Sequence, residues 1–174
     1  SPNGYSMIES THLQYLRYIF CVKTSTCKMM IYGDSGRVPI HCEIESNVIR
    51  YFYRLLSLPN NMIVRKVFNT LEQLHHLGFN NTWYSKGIGV ARTHQLPLAP
   101  LIVQSADTKR KYVKSKVVND YKTQWEDILS SQQYPILRSY KLYKTEFKLE
   151  KYLELKNSSA RRVIAKLRMS SNTL

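Results

Sequence analysis

The sequence predicts an all-α protein, an irregular multi-helix bundle of about six to eight helices with a loop region containing proline and glycine in its middle. Two observations support this class, the spacing of the apolar residues and the balance of glycine and tyrosine. Apolar residues recur at spacings of three and four along most of the chain, which is the period of an amphipathic helix. Glycine is rare, with 6 residues in 174, whereas tyrosine is common, with 13. No apolar run approaches the ~20 residues of a membrane-spanning helix, so we expect no membrane partner.

The chain is organised around a helix predicted at 42–57. A turn at 33–39, with two glycines and a proline, leads into it. Its predicted apolar face consists of Ile44, Val48, Tyr51, Phe52 and Leu55. Its predicted polar face consists of Glu43, Glu45, Asn47, Arg50 and Arg54. Because so broad an apolar face must be covered, we expect other helices to pack against it on both sides.

Two helices are predicted before this turn. The first runs from about Ile8 to Phe20, with Leu16 and Ile19 on the same stripe. The second is short, at 27–31, and we expect Gly33 to end it as a left-handed capping residue.

After the 42–57 helix, a fourth helix begins at Asn60 or Asn61 and ends at Gly78. Its predicted inward residues are Ile63, Val67, Leu71, Leu74 and Leu77. Residues 80–104 are predicted to be irregular because Pro97 and Pro100 break the periodicity.

A long basic helix is predicted from about residue 105 to Ser130. Its stripe consists of Val113, Val117, Tyr121, Trp125, Ile128 and Leu129. Another helix is predicted to start at Pro135, and a last one after Asn157 or Ser158. In the last helix, Val163, Ile164 and Leu167 are expected to face inward.

These elements suggest three parts. Residues 1–79 form an N-terminal helical half around the 42–57 helix, residues 80–104 form the irregular connector, and residues 105–174 form a basic C-terminal helical half. A single continuous domain is equally compatible with the pattern.

Charge gives the strongest indication of a partner. The chain has 26 Lys+Arg and 12 Asp+Glu, a net charge of +14. Such an excess favours a polyanion, nucleic acid first and an acidic membrane second, and of these two we expect nucleic acid as the partner. From Asp107 onward there are 16 Lys+Arg and 7 Asp+Glu, so we place the phosphate contacts there. The predicted nucleic-acid-binding residues are Lys109, Arg110, Lys111, Lys114 and Lys116, with Arg161, Arg162 and Arg168 second.

The compartment follows from the cysteines and the start of the chain. Three cysteines without a CxxC pair indicate a reducing, intracellular environment, the nucleus or the cytoplasm. The first residues do not form a signal peptide. Since the chain does not begin with Met, we expect it to be a piece of a longer protein.

Catalytic chemistry is not expected. Gly33-Asp34-Ser35-Gly36 matches the nucleophile loop of trypsin-like proteases, but the 32 residues before it read as helix and contain one histidine. We interpret Asp34 as a turn or capping carboxylate with Arg37 as its partner. The adjacent His75 and His76 point in different directions from a helix and make a poor metal clamp. The sequence therefore predicts no catalytic residue, no metal site and no cofactor.

An ordered set of short motifs spans nearly the whole chain. The motifs are IxxxHLxxL at 8–16, VKxST at 22–26, IYGDxGRxPI at 31–40, LGFxxxW at 77–83, Trp125, and KLRMSSxxL at 166–174. In this order and spacing they resemble the region that follows the polymerase domain in the reverse transcriptases of non-long-terminal-repeat retrotransposons. Asp34-Ser35 departs from the Glu-Leu that this family usually has there. The family's paired metal-binding aspartates and its Cys/His-rich segment are not in the sequence.

The resemblance implies a non-catalytic helical region of an RNA-directed DNA polymerase. Its expected partners are template RNA or target DNA, bound through the basic C-terminal surface, and the upstream polymerase domain of the same polyprotein. The alternative is a structural packing module whose charge is matched by an acidic face elsewhere in the parent protein, with no nucleic-acid contact.

Overall fold

The computed structural model describes residues 4–98, 106–131 and 133–169. Within these residues the chain forms eight α-helices, two short 3-10 helices and no strand, which confirms the all-α prediction. The α-helices are α1 Gly4–Phe20, α2 Lys28–Ser35, α3 Ile40–Leu56, α4 Ile63–His76, α5 Trp83–Thr93, α6 Ala106–Ser130, α7 Tyr140–Tyr143 and α8 Ser158–Met169. None of the helices in these ranges is both long and apolar enough to cross a bilayer.

Contacts divide the chain into two compact units. The first consists of Ser1–His41 and Tyr121–Leu174, and the second of Cys42–Asp120. These units do not follow the predicted halves 1–79 and 105–174. The reason is that the first and last helices pack together, since α1 contacts both α2 and α8.

The core of the first unit is built around Trp125. Its indole N–H donates to the carbonyl of Met29 at 2.9 Å, so the ring is fully buried without an unpaired polar atom. Gly33 packs directly on this ring, and a Cβ there would lie 2.7 Å from the ring atom Cζ2. The core also contains residues of α1, α2 and α8.

The core of the second unit is an aromatic cluster. The rings of Phe52, Phe68 and Tyr84 have centroids 5.1–5.4 Å apart, in tilted or edge-to-face arrangements. Gly87 of α5 lies against Phe52, and a Cβ at this position would come within 2.6 Å of that ring.

The prediction of an irregular connector at 80–104 is wrong for residues 83–93, which form α5. Thr82 caps this helix, since its hydroxyl accepts the Ser85 N–H at 3.1 Å. Gly87 lies inside this helix, and its lack of a side chain allows close packing against Phe52. Residues 99–105, including Pro100, lie outside the described residues.

Some helix faces were predicted correctly and others were not. Val113, Val117, Trp125 and Leu129 of α6 are buried, as predicted. In α4, however, Ile63 and Val67 are 79% and 55% exposed, and Phe68 is the buried residue. In α8, Val163 and Leu167 are 57% and 63% exposed, whereas Ala165 and Met169 are buried. Ala165 is small and packs in the core beside α1, so the face of α8 that carries Ala165 is the buried one.

The GDSG segment is helical rather than a turn. Helix α2 continues through Gly33 to Ser35, and Gly36 is the left-handed capping residue, with φ +61°. The chain then reaches α3 through Pro39.

Candidate nucleic-acid interface

A cavity of about 470 Å³ lies between α3 and the start of α6 in the second unit. Four cations line it, Arg50 and Arg54 from α3 and Lys109 and Arg110 from α6. Residues four apart on a helix lie on the same face, so both arginines of α3 point to the cavity. We call this cavity the α3–α6 groove.

The positive charge of this groove is largely uncompensated. Asp107 is the single acidic residue among those that line it. Among the described residues, Arg54, Lys109 and Arg110 form no ion pair, and Arg50 donates to the Asn47 side chain at 3.0 Å. Like charges at this spacing repel each other, and a bound anion would relieve that repulsion.

Two tyrosines give the groove an aromatic wall. Tyr51 is about half exposed, and its ring lies edge-on to Trp83 at a centroid distance of 5.4 Å. Tyr53 is buried and donates its hydroxyl to the carbonyl of Pro97. Burial, followed by the nearby Tyr112, raises the pKa of Tyr53 to about 12, so this hydroxyl stays protonated.

The remaining basic residues predicted on α6 lie outside the groove lining. Lys111 is exposed. Lys114 pairs with Glu43 at 2.6 Å, and Lys116 pairs with Asp120 at 2.8 Å. These two lysines are therefore partly neutralised within the protein, although exposed pairs such as Lys114–Glu43 are weak.

The arginines predicted on α8 separate into two environments. Arg161 and Arg162 line a second cavity of about 290 Å³ in the first unit, together with Arg37. Arg168 is instead tied into a buried network with Asp34 and Glu150. A side chain held in this way is not free to bind a phosphate.

Asp34 is the centre of that network, and its carboxylate is fully buried. Tyr140 donates to Oδ1 at 2.7 Å, Tyr152 donates to Oδ2 at 2.8 Å, and Arg168 donates to Oδ2 through Nε at 3.1 Å. The prediction that Arg37 partners Asp34 is wrong, because Arg37 is exposed at the turn after α2. The network satisfies the buried charge and fixes α2 to α8.

A second carboxylate–cation pair extends the network. Glu150 accepts from the buried amine of Lys144 and from Arg168. The Lys144 amine also donates to the carbonyl of Lys148 at 2.7 Å. Each buried charge is therefore matched by an opposite charge and a hydrogen bond, which is the arrangement expected of a structural network.

His94 in the second unit is the histidine most similar to a catalytic group. Its Nδ1 lies 2.8 Å from Asp120 and its Nε2 lies 3.1 Å from Glu45. Because both ring nitrogens are engaged by carboxylates, neither is available to activate a nucleophile. Within the described ranges, no group of three or more His, Cys, Asp or Glu residues is arranged to hold a metal ion.

Sequence reasoning missed Arg37, Arg50 and Arg54. Arg50 and Arg54 could have been chosen from the sequence. They lie four residues apart on a polar helix face without a nearby acid, so their charges repel each other. Their proximity to Lys109 and Arg110 could not be seen, because it depends on how α3 and α6 pack.

The described residues form an all-α fold, in which the α3–α6 groove and the cavity beside Arg161 and Arg162 are both basic. Comparison with protein-family models, with curated proteins and with solved structures finds no match. The resemblance to the post-polymerase region of retrotransposon reverse transcriptases therefore stays a prediction.

Proposed function

We propose that this chain is a non-catalytic, nucleic-acid-binding region of a retrotransposon reverse transcriptase. It binds the backbone of template RNA or target DNA beside the upstream polymerase domain of the same polyprotein. The ordered motifs of the sequence support the family, and the charge of the chain supports the partner. An intracellular site of action, the nucleus or the cytoplasm, is part of this proposal.

The α3–α6 groove is the observation that carries the proposal. It brings Arg50, Arg54, Lys109 and Arg110 to one cavity without ion-pair partners among the described residues. Arginine and lysine side chains in such a groove neutralise phosphates and release counterions. Phosphate contacts fix the position of a strand but carry no base sequence, so we expect little sequence preference.

The test is a titration of the chain with labelled single- and double-stranded RNA and DNA at several salt concentrations. Binding that weakens linearly in the logarithm of salt concentration supports backbone contacts. The variant R50Q/R54Q/K109Q/R110Q should bind more weakly to every probe. The control K28Q/K66Q/R92Q/R138Q removes the same charge from exposed positions outside the groove and should bind nearly as well as the wild type. Equal loss in both variants would contradict a role for the groove.

The second candidate is a packing module that binds another protein region without nucleic acid. The exposed apolar face of α4 favours it, since Ile63, Val64 and Val67 line a cavity of about 330 Å³ with Trp83. Mixing the chain with a purified polymerase domain of a non-long-terminal-repeat element tests this candidate. Tight association that V64E/V67E abolishes and K66E/T70E leaves intact would favour it.

A further inference from the structure

The second basic cavity has a different character from the α3–α6 groove. It measures about 290 Å³ and is lined by Arg37 from the turn after α2 and by Arg161 and Arg162 from α8. No acidic residue is among those that line it, and these three arginines form no ion pair within the described ranges. We call this cavity the α8 pocket.

The arginines converge because the network around Asp34 fixes the elements that carry them. Arg168 ties α8 to α2 through Asp34. An antiparallel bridge joins Ser35 to Leu149, and the Glu150 N–H donates to the Asp34 carbonyl at 2.9 Å. The left-handed Gly36 then turns the chain so that Arg37 reaches the pocket. The pocket is therefore preformed by buried contacts rather than by its own charges.

The α8 pocket combines the positive charge of its arginines with an apolar wall on another side. Tyr15 and Ile19 of α1 line the pocket and are about half exposed, and Leu153 lies beside them. The N-terminus of α8 adds little positive potential to the pocket, because the Asn157 side chain already accepts hydrogen bonds from the N–H groups of Ser159 and Ala160. The arginines supply the positive charge.

We propose that the α8 pocket binds a phosphomonoester of mononucleotide size. Guanidinium groups bind phosphate oxygens through paired hydrogen bonds, and three of them suit a dianion. An exposed tyrosine can stack on a base. The volume lies near the lower end of small-molecule pockets, so it fits one nucleotide rather than a length of duplex.

Two sources could present this group, the end of a nucleic-acid strand or a free nucleoside monophosphate. Binding of a strand end rests on the proposed function and deepens it. In that case the α3–α6 groove would hold backbone phosphates, and the α8 pocket would hold the terminal phosphate. The free form does not depend on nucleic-acid binding. Both use the same arginines.

The experiment compares matched probes on the full chain. Short oligoribonucleotides of one sequence carry a 5′-phosphate, a 3′-phosphate or hydroxyl groups at both ends, and adenosine monophosphate is compared with adenosine. We expect at least one phosphorylated probe to bind about tenfold more tightly than its hydroxyl counterpart. A preference confined to oligoribonucleotides identifies a strand end, and a preference shown by adenosine monophosphate alone identifies a free nucleotide.

Variants assign the preference to the pocket. R161Q/R162Q should abolish it, and the single change R37Q should weaken it. The control R92Q/R138Q, at exposed arginines outside the pocket, should keep it. R37Q replaces an exposed side chain, so it tests the pocket even if the double variant folds poorly.

The outcomes separate this inference from the proposed function. Equal affinity for phosphorylated and hydroxyl probes, with no binding of adenosine monophosphate, overturns the pocket proposal. Salt-dependent binding of all oligonucleotides would then still support the groove. Conversely, an arginine-dependent preference for adenosine monophosphate without any oligonucleotide binding supports the pocket and overturns the proposed function.

Discussion

Arg168 in the last helix donates its Nε–H to the carboxylate of Asp34, 134 residues earlier in the chain, at 3.1 Å. Asp34 is fully buried, and the Tyr140 and Tyr152 hydroxyls complete its hydrogen bonds. Residues of the motif at 31–40 and the described part of the last motif, residues 166–169, therefore meet in space. A buried carboxylate needs such partners, which explains why α8 packs where it does.

Removing either partner of this ion pair should strongly destabilise the protein. D34N and R168M each leave an unmatched buried group, and we expect a loss of about 3–5 kcal/mol in the free energy of unfolding. The double variant should lose less than the sum of the two. Urea denaturation measures these values. The control R37M, at an exposed arginine, should change stability by no more than about 0.5 kcal/mol. A loss in R37M equal to that in R168M would restore Arg37 as the partner of Asp34.

Gly36 should not tolerate a side chain. Its φ is +61°, and a Cβ would lie 2.4 Å from the backbone nitrogen of Leu149. We expect G36A to lower the free energy of unfolding by about 1–3 kcal/mol or more.

The matched control for this change is Gly89 in α5, where a Cβ meets no atom within 4 Å. G89A should be neutral or stabilising by up to about 1 kcal/mol, because alanine favours helix. Thermal melting measures the stability of G36A and G89A, and we expect only G36A to melt at a lower temperature than the wild type. Equal melting temperatures would show that the turn after α2 accepts a side chain.

Alkaline pH should unfold the protein through the buried tyrosines. Burial, followed by the charge of Asp34, raises the pKa of Tyr152 and of Tyr140 far above the ordinary 10.0. The unfolded chain then loses protons that the folded chain keeps, so the stability contributed by these tyrosines is constant below about pH 10 and falls above it. For each such tyrosine the slope is about 1.4 kcal/mol per pH unit.

Y152F should therefore reduce that alkaline slope, since phenylalanine has no proton to lose. The measurement is a series of urea denaturations of the wild type and Y152F from neutral to alkaline pH, with Y18F at an exposed position as the control. Parallel curves for the wild type and Y152F would contradict a protonated Tyr152 in the folded protein.

Acidic pH should act on the second unit through Asp120. Burial acts to raise the pKa of this carboxyl, but hydrogen bonds from Lys116 and His94 outweigh it, and the pKa is lowered below its ordinary 3.8. Stability from this group is present above about pH 4 and is lost as pH falls further. D120N should lose less stability than the wild type between neutral pH and about pH 3, and D107N, at an exposed carboxylate, should behave like the wild type. An unchanged acid dependence in D120N would contradict the role of this cluster.

The sequence allowed the helical class and the buried stripe of α6 to be predicted. That helix is long, and its residues Val113, Val117, Trp125 and Leu129 keep the period throughout. The buried faces of the short helices could not be predicted in the same way. Spacing shows which residues share a face, but it does not show which face is covered. In α4 the covered face is set by Phe68, which packs against Phe52 and Tyr84.

The candidate sites were predicted in part. Lys109, Arg110, Arg161 and Arg162 line cavities, and all four were chosen from local charge alone. Arg168 was chosen for the same reason, but its partner Asp34 is 134 residues away in sequence and could not be inferred from local pattern. Long-range pairing of this kind depends on tertiary packing, and periodicity carries no information about it.

We propose that the α3–α6 groove binds nucleic-acid phosphates. The most direct test compares the salt dependence of duplex binding for the wild type and for R50Q/R54Q/K109Q/R110Q. If all four cations contact phosphates, the slope of log affinity against log salt concentration should become less steep by roughly 3.6 units in this variant. It should stay unchanged in K28Q/K66Q/R92Q/R138Q. A slope in the groove variant equal to that of the wild type would contradict the claim.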